Sequence, residues 1–192
     1  MGSAELSGSA PFDRVLLVGF MGSGKTAVGQ ALARRLGWRF IDFDREIEVQ
    51  CGSDVTSIFR DRGEAYFRTV ESEVGARCMN VKGAVLASGG GWPTHPGHME
   101  DLPSRTFSVW LQVTAGEAVR RIGLDGPTRP LLQVADPVGM ADELMRDREK
   151  WYARASMALP TDDREPTVLA GEIAKYVSGE TLHPITRTGP SL

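Results

Sequence analysis

The sequence predicts an α/β fold in which a parallel sheet is covered by helices on both faces, and three observations carry that prediction. Short strand-like runs alternate with longer segments of helical period through most of the chain. The first run, Val15 to Val18, is apolar without interruption. A glycine-rich turn, "GFMGSGKT" at 19–26, then joins it directly to a helical pattern.

Strands are expected at Arg14 to Val18, Arg39 to Phe43, Ala84 to Ala87 and Thr106 to Val113, with a weaker fifth near Ser156 to Leu159. The fifth is weak because Pro160 stands where an extended, hydrogen-bonding residue is wanted. Helices between them carry punctuation. The first spans Ala27 to Leu36 and is followed by Gly37, and a second starts at Asp44. "SDVTSIFRDRG" opens with capping residues and stops at Gly63, after which Glu64 to Val74 is helical again. Thr114 to Glu117 reads as a capping box opening a helix through Ile122. A long helix follows in "DPVGMADELMRDREKWYARAS", and a last one in "EPTVLAGEIAKYVSG" has Pro166 near its start.

A chain of 192 residues fits one domain, expected over 13–178, with a flexible leader at 1–12 and a flexible tail at 179–192. The formal charge of −3 without a basic block argues against nucleic acid as the main partner. Two cysteines, Cys51 and Cys78, form no multi-bridge framework and fit a reduced, cytoplasmic setting. No run reaches membrane-spanning length, no signal-peptide pattern opens the chain, and Leu6 breaks the myristoylation pattern.

In a parallel sheet ligands collect at the carboxyl ends of the strands, so the residues after each strand are the informative ones. "GFMGSGKT" fits the G-x-x-x-x-G-K-[ST] phosphate-binding pattern in its required context, after a strand and opening a helix. Gly19, Gly22 and Gly24 let backbone N–H groups turn toward phosphate oxygens, and the helix amino terminus adds positive potential. Gly22, Ser23, Gly24, Lys25, Thr26 and Ala27 are thus the candidate nucleotide-binding residues, Lys25 reaching the β- and γ-phosphates and Thr26 ligating Mg²⁺. Asp42 and Asp44 in "RFIDFD" are spaced to leave an extended strand on one face. One suits Mg²⁺ held through water and the other a proton acceptor, while Asp44 also suits a helix cap. Arg68 and Glu71 in "GEAYFRTVESEV" have the spacing of a surface ion pair. Gly89, Gly90 and Gly91 follow the third strand with no acid directly behind them, leaving bare amides for a ligand to approach.

"GFMGSGKT", "FIDFD", "GEAYFR", "LASGGG" and "TRPLL" occur in an order and at spacings that resemble the shikimate kinase family, over roughly residues 14 to 177. The resemblance implies a three-layer P-loop kinase fold of about five parallel strands with a mobile lid near 123–135. It implies ATP and Mg²⁺ as cofactors, shikimate as small-molecule acceptor at its 3-hydroxyl, and a monomer. Asp44 then matches the proposed base and Asp42 the Mg²⁺-associated acid. Arg68 and Arg148 match the two carboxylate-gripping arginines, with Gly89, Gly90 and Gly91 lining the pocket. Arg129 matches the lid arginine, and Arg121 and Arg164 match positions flanking adenine. Two arginine forks would fix a planar acid in one orientation. A kinase of gluconate, an aminated shikimate analogue or a nucleoside monophosphate, and a nucleotide switch without an acceptor, are the alternatives. The departures are Trp92, read as packing beneath the pocket, and the His95/His98 pair, whose metal reading lacks further ligands.

Overall fold

The computed structural model describes residues 11–124, 132 and 134–180. Five strands, β1 (Arg14–Val18), β2 (Arg39–Asp42), β3 (Ala84–Ala87), β4 (Thr106–Gln112) and β5 (Met157–Pro160), form one sheet in the order β2-β3-β1-β4-β5. Every pairing is parallel. The α-helices are α1 (Lys25–Leu36), α2 (Phe43–Cys51), α3 (Val55–Cys78), α4 (Ala115–Leu124), α5 (Pro137–Tyr152) and α6 (Pro166–Val177).

The central strand explains the layering. Val15 and Leu17 point to one face and Leu16 and Val18 to the other, as the two-residue strand period requires, and all four are fully buried. On the first face they meet Val28 and Leu32 of α1 and Leu169 and Ile173 of α6. On the second they meet Phe43 and Ile47 of α2, Phe67, Val70 and Val74 of α3, and Trp92. Each such large side chain contributes about 1.5–3 kcal/mol on burial.

Three details depart from expectation. Strand β2 ends at Asp42 and Phe43 opens α2, so Asp44 is helical and the strand-period argument does not reach it. Asp42 is the helix cap: its carboxylate accepts the Asp44 N–H at 3.1 Å. The Thr114 capping box is half made. Thr114 Oγ1 accepts from the Glu117 N–H at 3.4 Å, but Glu117 pairs with Arg120 and Arg121, and the Thr114 N–H goes to Asp162. Pro160, expected to spoil a strand, ends β5 at the sheet edge, where its missing N–H costs no ladder bond. Gly63 sits at φ 79°, ψ 169° and kinks α3, as the glycine stop predicts. No helix among the described residues is long and apolar enough to cross a membrane.

Candidate active site

Strand order reverses around β1, whose neighbours β3 and β4 belong to opposite halves of the sheet, and the carboxyl end of β1 runs straight into Gly19. The candidate site grows from that point. Gly22 has φ 77°, and a Cβ there would stand 2.7 Å from the Ala118 carbonyl oxygen, so only glycine lets the loop lie against α4. Gly24 has φ 85° and caps α1 with its backbone alone, which turns the first N–H groups of that helix toward the cleft. Lys25 folds across the loop, donating from Nζ to the carbonyl oxygens of Gly19 (2.9 Å) and Phe20 (2.8 Å). The Thr26 hydroxyl donates to Asp42 Oδ2 at 2.9 Å. Two hard oxygen donors side by side at a phosphate cradle fit Mg²⁺, which takes few protein ligands and keeps water and phosphate oxygens around it.

A cleft of about 790 Å³ runs along this edge. Gly22 to Ala27, Asp42, Asp44, Gly90, Arg121, Arg164 and Pro166 line it. At one end Arg121 ties α4 to the loop and to the segment after β5. It donates to the Gly22 carbonyl (3.3 Å), the Thr161 carbonyl (2.8 Å) and the Thr161 hydroxyl (3.2 Å), and its Nε donates to Glu117 Oε1 at 2.7 Å. Arg164 lies nearby, donating to the Pro160 carbonyl and paired with Glu172.

The other end is built on the glycine triplet. A Cβ on Gly89 would stand 3.0 Å from Asp44 Oδ1 and 2.5 Å from Glu71 Oε1. On Gly90 it would stand 3.5 Å from Arg148 Nη1 and 3.6 Å from the Met21 amide nitrogen. On Gly91 it would collide with Arg68 Nη1. Asp44, Arg68 and Arg148 therefore converge on three side-chain-free residues, of which Gly90 also approaches the phosphate loop. Arg129 and most of the expected lid lie outside the described residues.

Two further residues help to hold this end, Glu71, which the sequence suggests is a surface acid, and Tyr152, which the sequence does not single out. Glu71 is not on the surface: its side chain is 1% exposed, accepts from Arg68 Nη1 at 2.8 Å, and leaves Oε1 without a partner. Burial pushes its carboxyl above the usual 4.5, against the opposing pull of Arg68. The signal was present, because Glu71 falls at helical spacing between the buried Phe67 and Val74. Tyr152, buried at the end of α5, donates from its hydroxyl to the Gly90 carbonyl at 2.6 Å and fixes the triplet from behind. Only the meeting of α5 with the loop reveals it. Trp92 packs as expected, edge-on to Phe43 and against Gly75. No group of three or more His, Cys, Asp or Glu among the described residues is placed to hold a metal ion.

Known proteins are similar to this chain over most of its length. The family model for shikimate kinase matches residues 21–178. A shikimate kinase of Moorella thermoacetica is 45% identical over 159 residues, covering 83% of this chain and 91% of that protein. Shikimate kinase from Acinetobacter baumannii, solved in complex with shikimate, superposes with a TM-score of 0.83 at 35% identity, covering 90% of this chain and 96% of that one. Shikimate kinase from Aquifex aeolicus superposes with a TM-score of 0.71 at 29% identity, covering 87% and 97%. With a phosphate loop, paired acids and two arginines beside a glycine triplet on one edge of a five-stranded parallel sheet, and with matches over most of its length, the chain belongs to the shikimate kinase family.

Proposed function

We propose that this chain transfers the γ-phosphoryl group of ATP to the 3-hydroxyl of shikimate, giving 3-phosphoshikimate and ADP. The observation that carries the reading is the convergence of Asp44, Arg68 and Arg148 on the glycine triplet, beside the phosphate loop. A nucleotide switch has no use for such a second pocket. Membership of the shikimate kinase family favours shikimate over gluconate or a nucleoside monophosphate as acceptor.

When bound, ATP supplies the phosphoryl group and Mg²⁺ neutralises charge on its phosphate oxygens. Thr26 and, through water, Asp42 are the residues that would hold the ion. Backbone N–H groups of Gly22 to Ala27 and Nζ of Lys25 bind the phosphates, for which Lys25 leaves the loop carbonyls it now meets. Arg68 and Arg148 hold the acceptor carboxylate and thereby orient its ring. Asp44 takes the proton of the attacking hydroxyl as the new O–P bond forms and the bond to ADP breaks. Arg129 is assigned from sequence to the charge that develops in transfer, and Arg121 and Arg164 to the flanks of the adenine. The protein is proposed to act as a cytoplasmic monomer, which gel filtration checks.

A coupled assay of ADP release with shikimate, gluconate, quinate and nucleoside monophosphates tests the reading. Shikimate-dependent turnover well above that with the other acceptors is expected. Turnover that ignores shikimate would overturn it.

A further inference from the structure

The proposed reaction leaves the loop after the triplet, "WPTHPGH", without a task. There the His98 imidazole stacks on the Trp92 indole with ring centroids 4.4 Å apart, and the His95 ring follows at 5.0 Å. His98 Nδ1 lies 2.8 Å from the Trp92 carbonyl oxygen, which can only accept, so that nitrogen carries the proton. The stack delivers His95 to the buried carboxylate behind the pocket: His95 Nε2 is 3.6 Å from Glu71 Oε2, the oxygen that also accepts from Arg68. The other titratable or charged groups around it are Glu64 and Arg68 on α3, Asp44 on α2, Arg148 and Tyr152 on α5, and His98 in the loop itself.

We propose that His95 is a positioning residue for the acid substrate, setting through Glu71 how much of the Arg68 charge is available to the substrate carboxylate. With His95 protonated, Glu71 has a second cation and the Arg68 guanidinium keeps a net attraction for an incoming anion. With His95 neutral, Glu71 cancels most of that attraction. The inference rests on the shikimate reading above. Burial first, then His98 and Arg68, hold His95 below its ordinary 6.5 in the ligand-free protein. A substrate carboxylate between Arg68 and Arg148 opposes that shift, so binding takes up a proton. Shikimate KM therefore falls as pH falls through the His95 pKa.

The test compares wild type, His95→Gln and His95→Lys from pH 5 to 8, measuring shikimate KM at saturating ATP and ATP KM at saturating shikimate. Other titrating groups act in all three proteins, so the ratio of wild type to His95→Gln isolates His95. That ratio for shikimate KM should fall by at least about twofold on going from pH 7.5 to 5.5, while the ratio for ATP KM stays flat. The permanently charged His95→Lys should keep the low KM at pH 7.5. A shikimate ratio that does not change with pH overturns the proposal. So does an NMR titration of wild-type His95 whose pKa is the same with and without shikimate, a measurement that needs no variant to fold. Wild-type protein without shikimate turnover would instead overturn the reading on which the proposal stands.

Discussion

A single methyl group on Gly91 should separate acid recognition from nucleotide recognition. Gly91 has φ −90° and ψ −22°, an ordinary right-handed conformation, so alanine adds no backbone strain. Its Cβ would overlap Arg68 Nη1 and stand 3.0 Å and 3.1 Å from Cζ and Nη2 of the same guanidinium. The obstacle is the end of a long side chain, so the fork moves and the fold remains. Moving it breaks the 2.8 Å bond to Glu71 and spoils the alignment of the fork with a bound carboxylate. The charge-assisted hydrogen bond lost to the bound carboxylate is worth about 1.5–3 kcal/mol. At about 2 kcal/mol the shikimate KM of Gly91→Ala rises about thirtyfold. The coupled assay, titrated with shikimate at saturating ATP and then with ATP at saturating shikimate, reads both arms. ATP KM should stay within about twofold, because the phosphate loop makes no contact with Arg68. A stability loss of about 1–2 kcal/mol lowers Tm by roughly 2–8 °C, which leaves the enzyme folded at assay temperature. A shikimate KM within threefold of wild type would refute the claim that Arg68 grips the acid from this position.

Other outcomes follow from the same geometry. Asp44→Asn should lower kcat at least about a hundredfold while ATP affinity, measured by calorimetry, changes little; an unchanged rate would leave Asp44 only a place in the first turn of α2. Tyr152→Phe strands the Gly90 carbonyl and should cost about 1–2 kcal/mol, seen as a lower Tm together with a raised shikimate KM. A wild-type melt would show that the 2.6 Å bond does not hold the triplet. Glu117 is held down to about 2 from an ordinary 4.5, by Arg120 first and Arg121 after it. Its contribution to stability is therefore complete above about pH 4.5 and is lost as pH falls toward 2. Denaturant midpoints measured from pH 5 to 2.5 should fall less steeply in Glu117→Gln, and identical slopes would contradict the pairing.

Read alone, the sequence determined the elements and the chemistry of the nucleotide end. Apolar runs, glycine stops and the "GFMGSGKT" turn act over a few neighbouring residues, so β1, β3 and the kink at Gly63 could be read from local pattern. The family motifs named Asp44, Arg68, Arg148 and the triplet without saying how they meet. Tertiary structure decided that. Asp42 rather than Asp44 caps α2 because β2 ends one residue earlier than its apolar pattern suggests. Glu71 passed for a surface acid because i, i+3 spacing to an arginine is the same on either side of a helix. The apolar Phe67, Val70 and Val74 around it mark the dry side, and the packing of α3 against the sheet puts Glu71 there. Tyr152, His95 and the Gly91–Arg68 contact join residues far apart in the chain, and their proximity follows from strand order, because burying both faces of the sheet brings α3, α5 and the triplet to one rim.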